Sequence, residues 1–145
     1  MSSPITKELT AYLVVEVDTC LEFPVTAEYD KHDPYAVRLA FPDAVRKADD
    51  AAGAREDSVP SWTFGRELLD AGQRAPVGDG DVHVWPCGPD LVMVELRSVS
   101  GCALIALAAR ELRAFLFLSY AEVPPGYEGG YLELDRLLHD LMGRA

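Results

Sequence analysis

Apolar residues recur at every second position in one stretch of this chain after another, and each block of such stretches gives way to a run at helical spacing. From Leu9 to Val17 every odd position is apolar (Leu9, Ala11, Leu13, Val15, Val17), while the even ones are mostly Thr, Tyr, Glu or Asp. Successive side chains of a strand point to opposite faces, so the pattern predicts a half-buried strand. Pro24 breaks the next apolar stretch. Val25, Ala27 and Tyr29 then resume the two-residue period, and Asp30 to Pro34 supply turn chemistry for a hairpin. Tyr35, Val37, Leu39 and Phe41 continue on one face with Arg38 on the other, and Pro42 ends the strand. Three antiparallel strands in succession make a meander.

Asp43 to Val59 carries eight charges, five alanines and a glycine with no sustained apolar period. So little apolar surface cannot offset the entropy of ordering, and the segment reads as an exposed loop. Trp62 and Phe64 share one face of a short strand, and a helix of one to two turns from about Arg66 ends at Gly72, the residue best suited to a left-handed cap. A second block of strands follows. Gly78, Gly80, Asp79 and Asp81 make a turn into Val82 and Val84, and Pro86 to Asp90 make another. Val92, Val94 and Leu96 alternate with Glu95 and Arg97. Cys102 to Ala109 is apolar on both faces, which predicts a strand covered on both sides.

Leu112, Phe115, Leu116 and Ser119 recur at i, i+3, i+4 and i+7, predicting a helix from about Arg110 to Glu122 that stops before Pro124-Pro125. Leu134, Leu137, Leu138 and Leu141 predict another in the same way. Between them Gly126 to Gly130 reads as a linker. The order is strands then helix, followed by strands then helices: an α+β domain of two strand-then-helix halves, antiparallel and strand-rich, ending in two helices. The 145 residues fit a single domain, 1–145, with 43–59 as an insertion.

Thirteen basic residues against twenty-four acidic ones give a net charge of −11. Phosphate binding rests on Lys and Arg, so this balance opposes nucleic acid and anionic membranes alike. The longest uncharged stretch, Ser98 to Ala109, is too short for a bilayer, which needs about 20 apolar residues. Met1 to Thr10 lacks the pattern of a secretory signal, so a cytoplasmic location without membrane insertion is expected. Cys20, Cys87 and Cys102, odd in number and widely spaced, suit buried reduced thiols better than disulfides.

No catalytic, metal or cofactor constellation emerges. His83 and Cys87 are four apart, but Pro86 breaks the strand between the only near pair, and core thiols with an exposed strand histidine explain these residues more simply. Asp79-Gly80-Asp81 lacks the twelve-residue ladder of a calcium loop. None of the three histidines has a neighbouring Ser or Cys to activate. Phe117 and Leu118 fall outside the core stripe of their helix and need a second surface. Either the final helix or the sheet covers them, or they contribute to a subunit or partner contact. Ile105 and Leu107, on the doubly apolar strand, raise the same possibility.

Three ordered segments carry a signature. They are Asp33-Pro34-Tyr35-Ala36-Val37-Arg38, then Trp62-Thr63-Phe64-Gly65-Arg66-Glu67-Leu68-Leu69 closed by Gly72, then Gly78-Asp79-Gly80-Asp81-Val82-His83-Val84-Trp85-Pro86. With the later Val123-Pro124-Pro125-Gly126, their order and spacing resemble the SsgA-like family, small cell-division regulators of spore-forming actinobacteria, and within it the SsgB-type branch. The resemblance runs from about Leu9 to Leu141, and the 43–59 segment departs from it by being longer. It implies a Whirly-like fold, two strand-rich halves each closed by a helix, and a homo-oligomer, specifically a trimer. It also implies a non-enzymatic protein at future septum sites that recruits the tubulin-like GTPase FtsZ, favours its assembly and works with other SsgA-like proteins. The alternative is a single-stranded nucleic-acid module, since Whirly-like folds elsewhere bind single strands; Tyr35, Trp62 and Trp85 could stack bases, but the charge opposes it. A small-molecule enzyme would need a concave polar pocket.

Overall fold

The computed structural model describes residues 4–16, 18–41, 61–99 and 101–142; the expected loop from Asp43 to Val59 lies outside the described residues. Eight strands form one antiparallel sheet: β1 (Ile5–Glu16), β2 (Thr19–Tyr29), β3 (Ala36–Ala40), β4 (Ser61–Gly65), β5 (Val77–Asp79), β6 (Val82–Cys87), β7 (Leu91–Ser98) and β8 (Gly101–Ala108). Helix α1 (Arg66–Ala71) follows β4, α2 (Ala109–Glu122) follows β8, and α3 (Glu128–Met142) ends the described chain. The strand order is β4-β3-β2-β1-β8-β7-β6-β5. Two four-stranded meanders, each followed by a helix, therefore lie side by side, joined where Ala11 pairs with Leu107 and Leu13 with Ile105. The two edge strands, β4 and β5, both pack against α1, so the sheet curls to bring its ends to that helix.

Alternation builds the core face. Leu9 and Ala11 of β1 stand opposite Val25 and Phe23 of β2 and are fully buried, and Val37 and Leu39 of β3, with Phe41 just beyond it, continue the core. The period survives to Leu13 only in part. A register shift between Val14 and Glu16 bends β1 beyond its short ladder with β8, and Val15 is exposed. Pro24 does not break β2, which runs through it opposite Thr10. Among the described residues β2 has no outer neighbour there, because β3 pairs only with Thr26 to Glu28, and an edge tolerates a residue without an N–H. Likewise Pro86 lies inside β6, opposite Val92, and the turn is Gly88 to Asp90.

Gly72 does not form a left-handed cap. Its φ of −66° and ψ of −14° are right-handed, and glycine is needed for space, since a Cβ there would overlap Val84 on β6. The expected turn over Gly78 to Asp81 is shorter than its glycines suggest: Gly78 and Asp79 belong to β5, and with Asp79 opposite Val82, Gly80 and Asp81 form a two-residue hairpin loop in which Gly80 takes φ +61°. Gly129 and Gly130 belong to the first turn of α3, so the linker between the helices is shorter than expected. In β8 the centre, Ile105 to Leu107, is buried on both faces, while Gly101 and Cys102 are exposed.

Helix α2 lies against β1 and β8 and buries Leu112, Phe115, Leu116 and Ser119, the residues its periodicity selected. Its first turn is tied to β1 where the ladder with β8 stops. The N–H of Thr10, one residue before Ala11, donates to Glu111 Oε1 at 2.7 Å. Helix α3 has no extended packing against the sheet or either other helix.

Candidate interaction surface

One buried cation joins the last helix to the body. Arg66 opens α1 and is 1% exposed. Its guanidinium lies between two rings, 4.8 Å from the centroid of Tyr29 and 4.5 Å from that of Tyr120. It donates to the carbonyl of Ser119 at 3.0 Å, and its second terminal nitrogen lies 3.2 Å from Glu128 Oε2. That contact is an ion pair and not an aligned hydrogen bond. The backbone N–H of Arg66 donates to the Tyr35 carbonyl at 2.7 Å, and the Tyr29 hydroxyl donates to the Pro34 carbonyl at 3.0 Å. The turn before β3, the start of α1, the end of α2 and the start of α3 thus meet at one guanidinium.

The electrostatics follow from burial. A charge is costly away from water unless paired, and here two ring faces, a carbonyl and a carboxylate surround it. Burial pushes the Tyr29 hydroxyl up to about 12, against the pull of Arg66, and raises Tyr120 further with the Asp70 carboxylate adding to the effect. Burial also pushes the Glu128 carboxyl up. Its own backbone N–H, Arg66 and the N–H of Gly126, which donates to Oε1 at 2.6 Å, outweigh this and hold it below the usual carboxylate range.

The clasp sets which side of α3 faces outward. Among the described side chains of α3, Glu128 and Leu132, one turn apart, are half-buried. At 100° per residue, Leu134, Leu137, Leu138 and Leu141 centre roughly 150° away, nearly on the opposite side. All four are exposed, Leu137 at 55%, and Met142 extends them. On α2, Phe117 is 73% exposed and Leu118 43%. The final helix and the sheet leave both uncovered within the chain. Ile105 and Leu107 belong to the chain's own core and are not surface, because β1 and β7 flank β8 and its centre is sealed on both faces.

The signature residues hold the frame. Asp33 closes the turn before β3, donating its N–H to Asp30 and accepting from Ala36. Tyr35, expected on the core face of β3, lies in that turn and is 52% exposed. Phe64 is buried opposite Val37, and Trp62 is half-buried opposite Leu39. Val82 and Trp85 are half-buried on β6, and a Cβ at Gly78 would overlap His83. The first two segments thus converge on Arg66, which pattern reading passed over as a helix start. Phe64 and Leu69 around it signalled a buried stretch, but nothing local marks an arginine as buried.

The three cysteines are exposed, contrary to the expected core thiols. His83 Nδ1 lies 3.7 Å from Glu95 Oε1. Among the described residues no group of three or more His, Cys, Asp or Glu could hold a metal, and no helix is long and apolar enough to cross a membrane. A polar cleft of about 440 Å³ lies beside the clasp, lined by Arg66, Asp70, Arg74 and Glu128 among others. Arg66 pairs there with Glu128 and Arg74 with Asp70, and Glu67 also lines it.

Two meanders curled into one antiparallel sheet, with helices closing the halves, form an architecture shared with solved structures of sporulation-specific cell division proteins. An SsgA-like protein from Thermobifida fusca superposes with a TM-score of 0.79 at 32% identity, covering 97% of this chain and 98% of its own. SsgB from Streptomyces coelicolor, a structure described with mutations that correlate to longitudinal cell division during sporulation, gives 0.74 at 34%, covering 89% and 95%. The family described as Streptomyces sporulation and cell division protein, SsgA, matches residues 23–128. The sporulation-specific cell division protein SsgB of Frankia casuarinae is 40% identical over 134 residues, which is 90% of this chain and 86% of that protein. The chain belongs to the SsgA family.

Proposed function

We propose that this chain is a non-enzymatic regulator of sporulation-specific division that helps position the septum by recruiting FtsZ and promoting its assembly. Family membership supplies the process. The observation that carries the mechanism is the leucine face of α3, turned away from its own chain by the Arg66–Glu128 clasp. Exposed apolar patches of this kind mark contacts between proteins. A homo-oligomer, a trimer by family resemblance, repeats the face several times. Several weak sites on one particle hold a polymer by multivalency without a strong single site. The site of action is cytoplasmic, at the septum, alongside other SsgA-like proteins.

Pelleting FtsZ filaments with the chain tests this: the wild type co-sediments and raises polymer yield, and Leu137→Ser with Leu138→Ser does neither. Absence of co-sedimentation by the wild type overturns the recruitment reading. No observation favours the nucleic-acid reading. The half-buried Trp62 and Trp85 sit within the sheet ladder opposite Leu39 and Met93, and the net charge is −11. Tight single-stranded DNA binding that falls steeply with salt would reverse the ranking.

A further inference from the structure

Away from the leucine face, a groove of about 460 Å³ opens between the segment after α1, the β6–β7 turn and the first turns of α2. Its apolar lining includes Pro86, Pro89, Leu91 and Val92, and two guanidiniums flank it, Arg74 from beyond α1 and Arg113 from α2. The volume falls within the range of pockets that take a small ligand or a few residues of peptide. Its charge runs against the rest of the molecule. In a chain of net −11, Arg113 is exposed with no ion-pair partner among the described residues. Arg74 is paired with Asp70 at 3.1 Å, but that pair is solvent-exposed and easily exchanged for another carboxylate.

A further detail at the first turn of α2, whose leading N–H, that of Ala109, donates to the Asp90 carbonyl at 2.8 Å, favours an anionic ligand. Glu111, the acidic residue of that turn, directs its carboxylate to Thr10 on β1. We infer that this groove docks a short acidic segment of a partner protein, an apolar side chain resting between the two prolines and a carboxylate meeting Arg113. The apolar lining selects a peptide over a nucleic acid backbone, which would need a broader track of cations. The inference stands independently of FtsZ recruitment.

The test is fluorescence anisotropy with a fluorescein-labelled peptide carrying leucines interspersed with aspartates, and the same peptide with lysine for aspartate. The acidic peptide is expected to bind, although the overall charge of the protein repels it. Arg113→Glu, a surface change that leaves the core intact, weakens binding by roughly ten- to a hundredfold, the worth of one charge-assisted contact. Pro89→Asp weakens it as well. The inference is overturned if the acidic peptide fails to bind, if Arg113→Glu leaves its affinity unchanged, or if the lysine peptide or an oligothymidylate binds more tightly.

Discussion

Helices α2 and α3 carry the same apolar code and meet opposite fates. Leu112, Phe115, Leu116 and Ser119 occupy i, i+3, i+4 and i+7, and so do Leu134, Leu137, Leu138 and Leu141. The first set is buried to the last residue, and the second is exposed throughout. Periodicity tells which residues share a side of a helix; it does not say what lies opposite. Helix α2 leaves β8 directly and falls back onto β1 and β8. Helix α3 is held near its N-terminal end, and the clasp that holds it turns the leucines outward.

The contrast can be broken by mutation. Phe115→Ala removes a fully buried ring and is expected to cost about 3–5 kcal/mol, read as a lower denaturant midpoint. A loss under about 1 kcal/mol would mean that α2 is not the core helix. Arg66→Ala removes the countercharge of Glu128 and one of two donors to the Ser119 carbonyl, and is expected to cost about 3 kcal/mol. Hydrogen exchange should show α3 losing protection before the sheet; equal loss in both would deny the clasp its role.

A pH titration sharpens the same point. Tyr29 has a folded-state value of about 12 against about 10 unfolded, so its contribution is complete below pH 10 and is lost as pH rises toward 12. The thermal midpoint should fall across that window by the equivalent of roughly 2–3 kcal/mol. Glu128 works at the other end. Its lowered value contributes stability above about pH 4.3, lost as the pH falls through the folded value, and Glu128→Gln should flatten that acid limb. The smallest effect belongs to α3. Leu138→Ser should change the stability of the isolated chain by no more than about 0.5 kcal/mol while removing FtsZ co-sedimentation. A large loss of stability would show that the leucines are core after all.

Much of the frame was legible from residue order. The strands of both meanders other than β5, whose Gly78 and Asp79 read as turn, the two long helices, the Gly80 turn and the core residues of α2 follow from periods of two and 3.6 and from turn chemistry. Readings that failed were those in which one residue was asked to speak for its surroundings. Pro24 reads as a break, yet it lies where β2 is an edge. Gly72 reads as a left-handed cap, yet Val84 across the fold is what demands it. Ile105 and Leu107 read as candidates for an oligomer or partner interface because a doubly apolar strand has no way to announce which neighbours seal it. Arg66, the centre of the clasp, carried no local sign of burial, because its partners Tyr29, Tyr120 and Glu128 lie far from it in the chain.

Local steric and hydrophobic rules act over a few residues, so the sequence alone determined where strands, turns and helices lie, which residues share a face, the family signature and the acidic balance that disfavours nucleic acid. Tertiary structure decided what each face meets. It packed α2 into the sheet, turned the leucines of α3 outward around one buried arginine, and set two arginines beside an apolar groove. Those outcomes rest on contacts between residues distant along the chain, which no local period encodes.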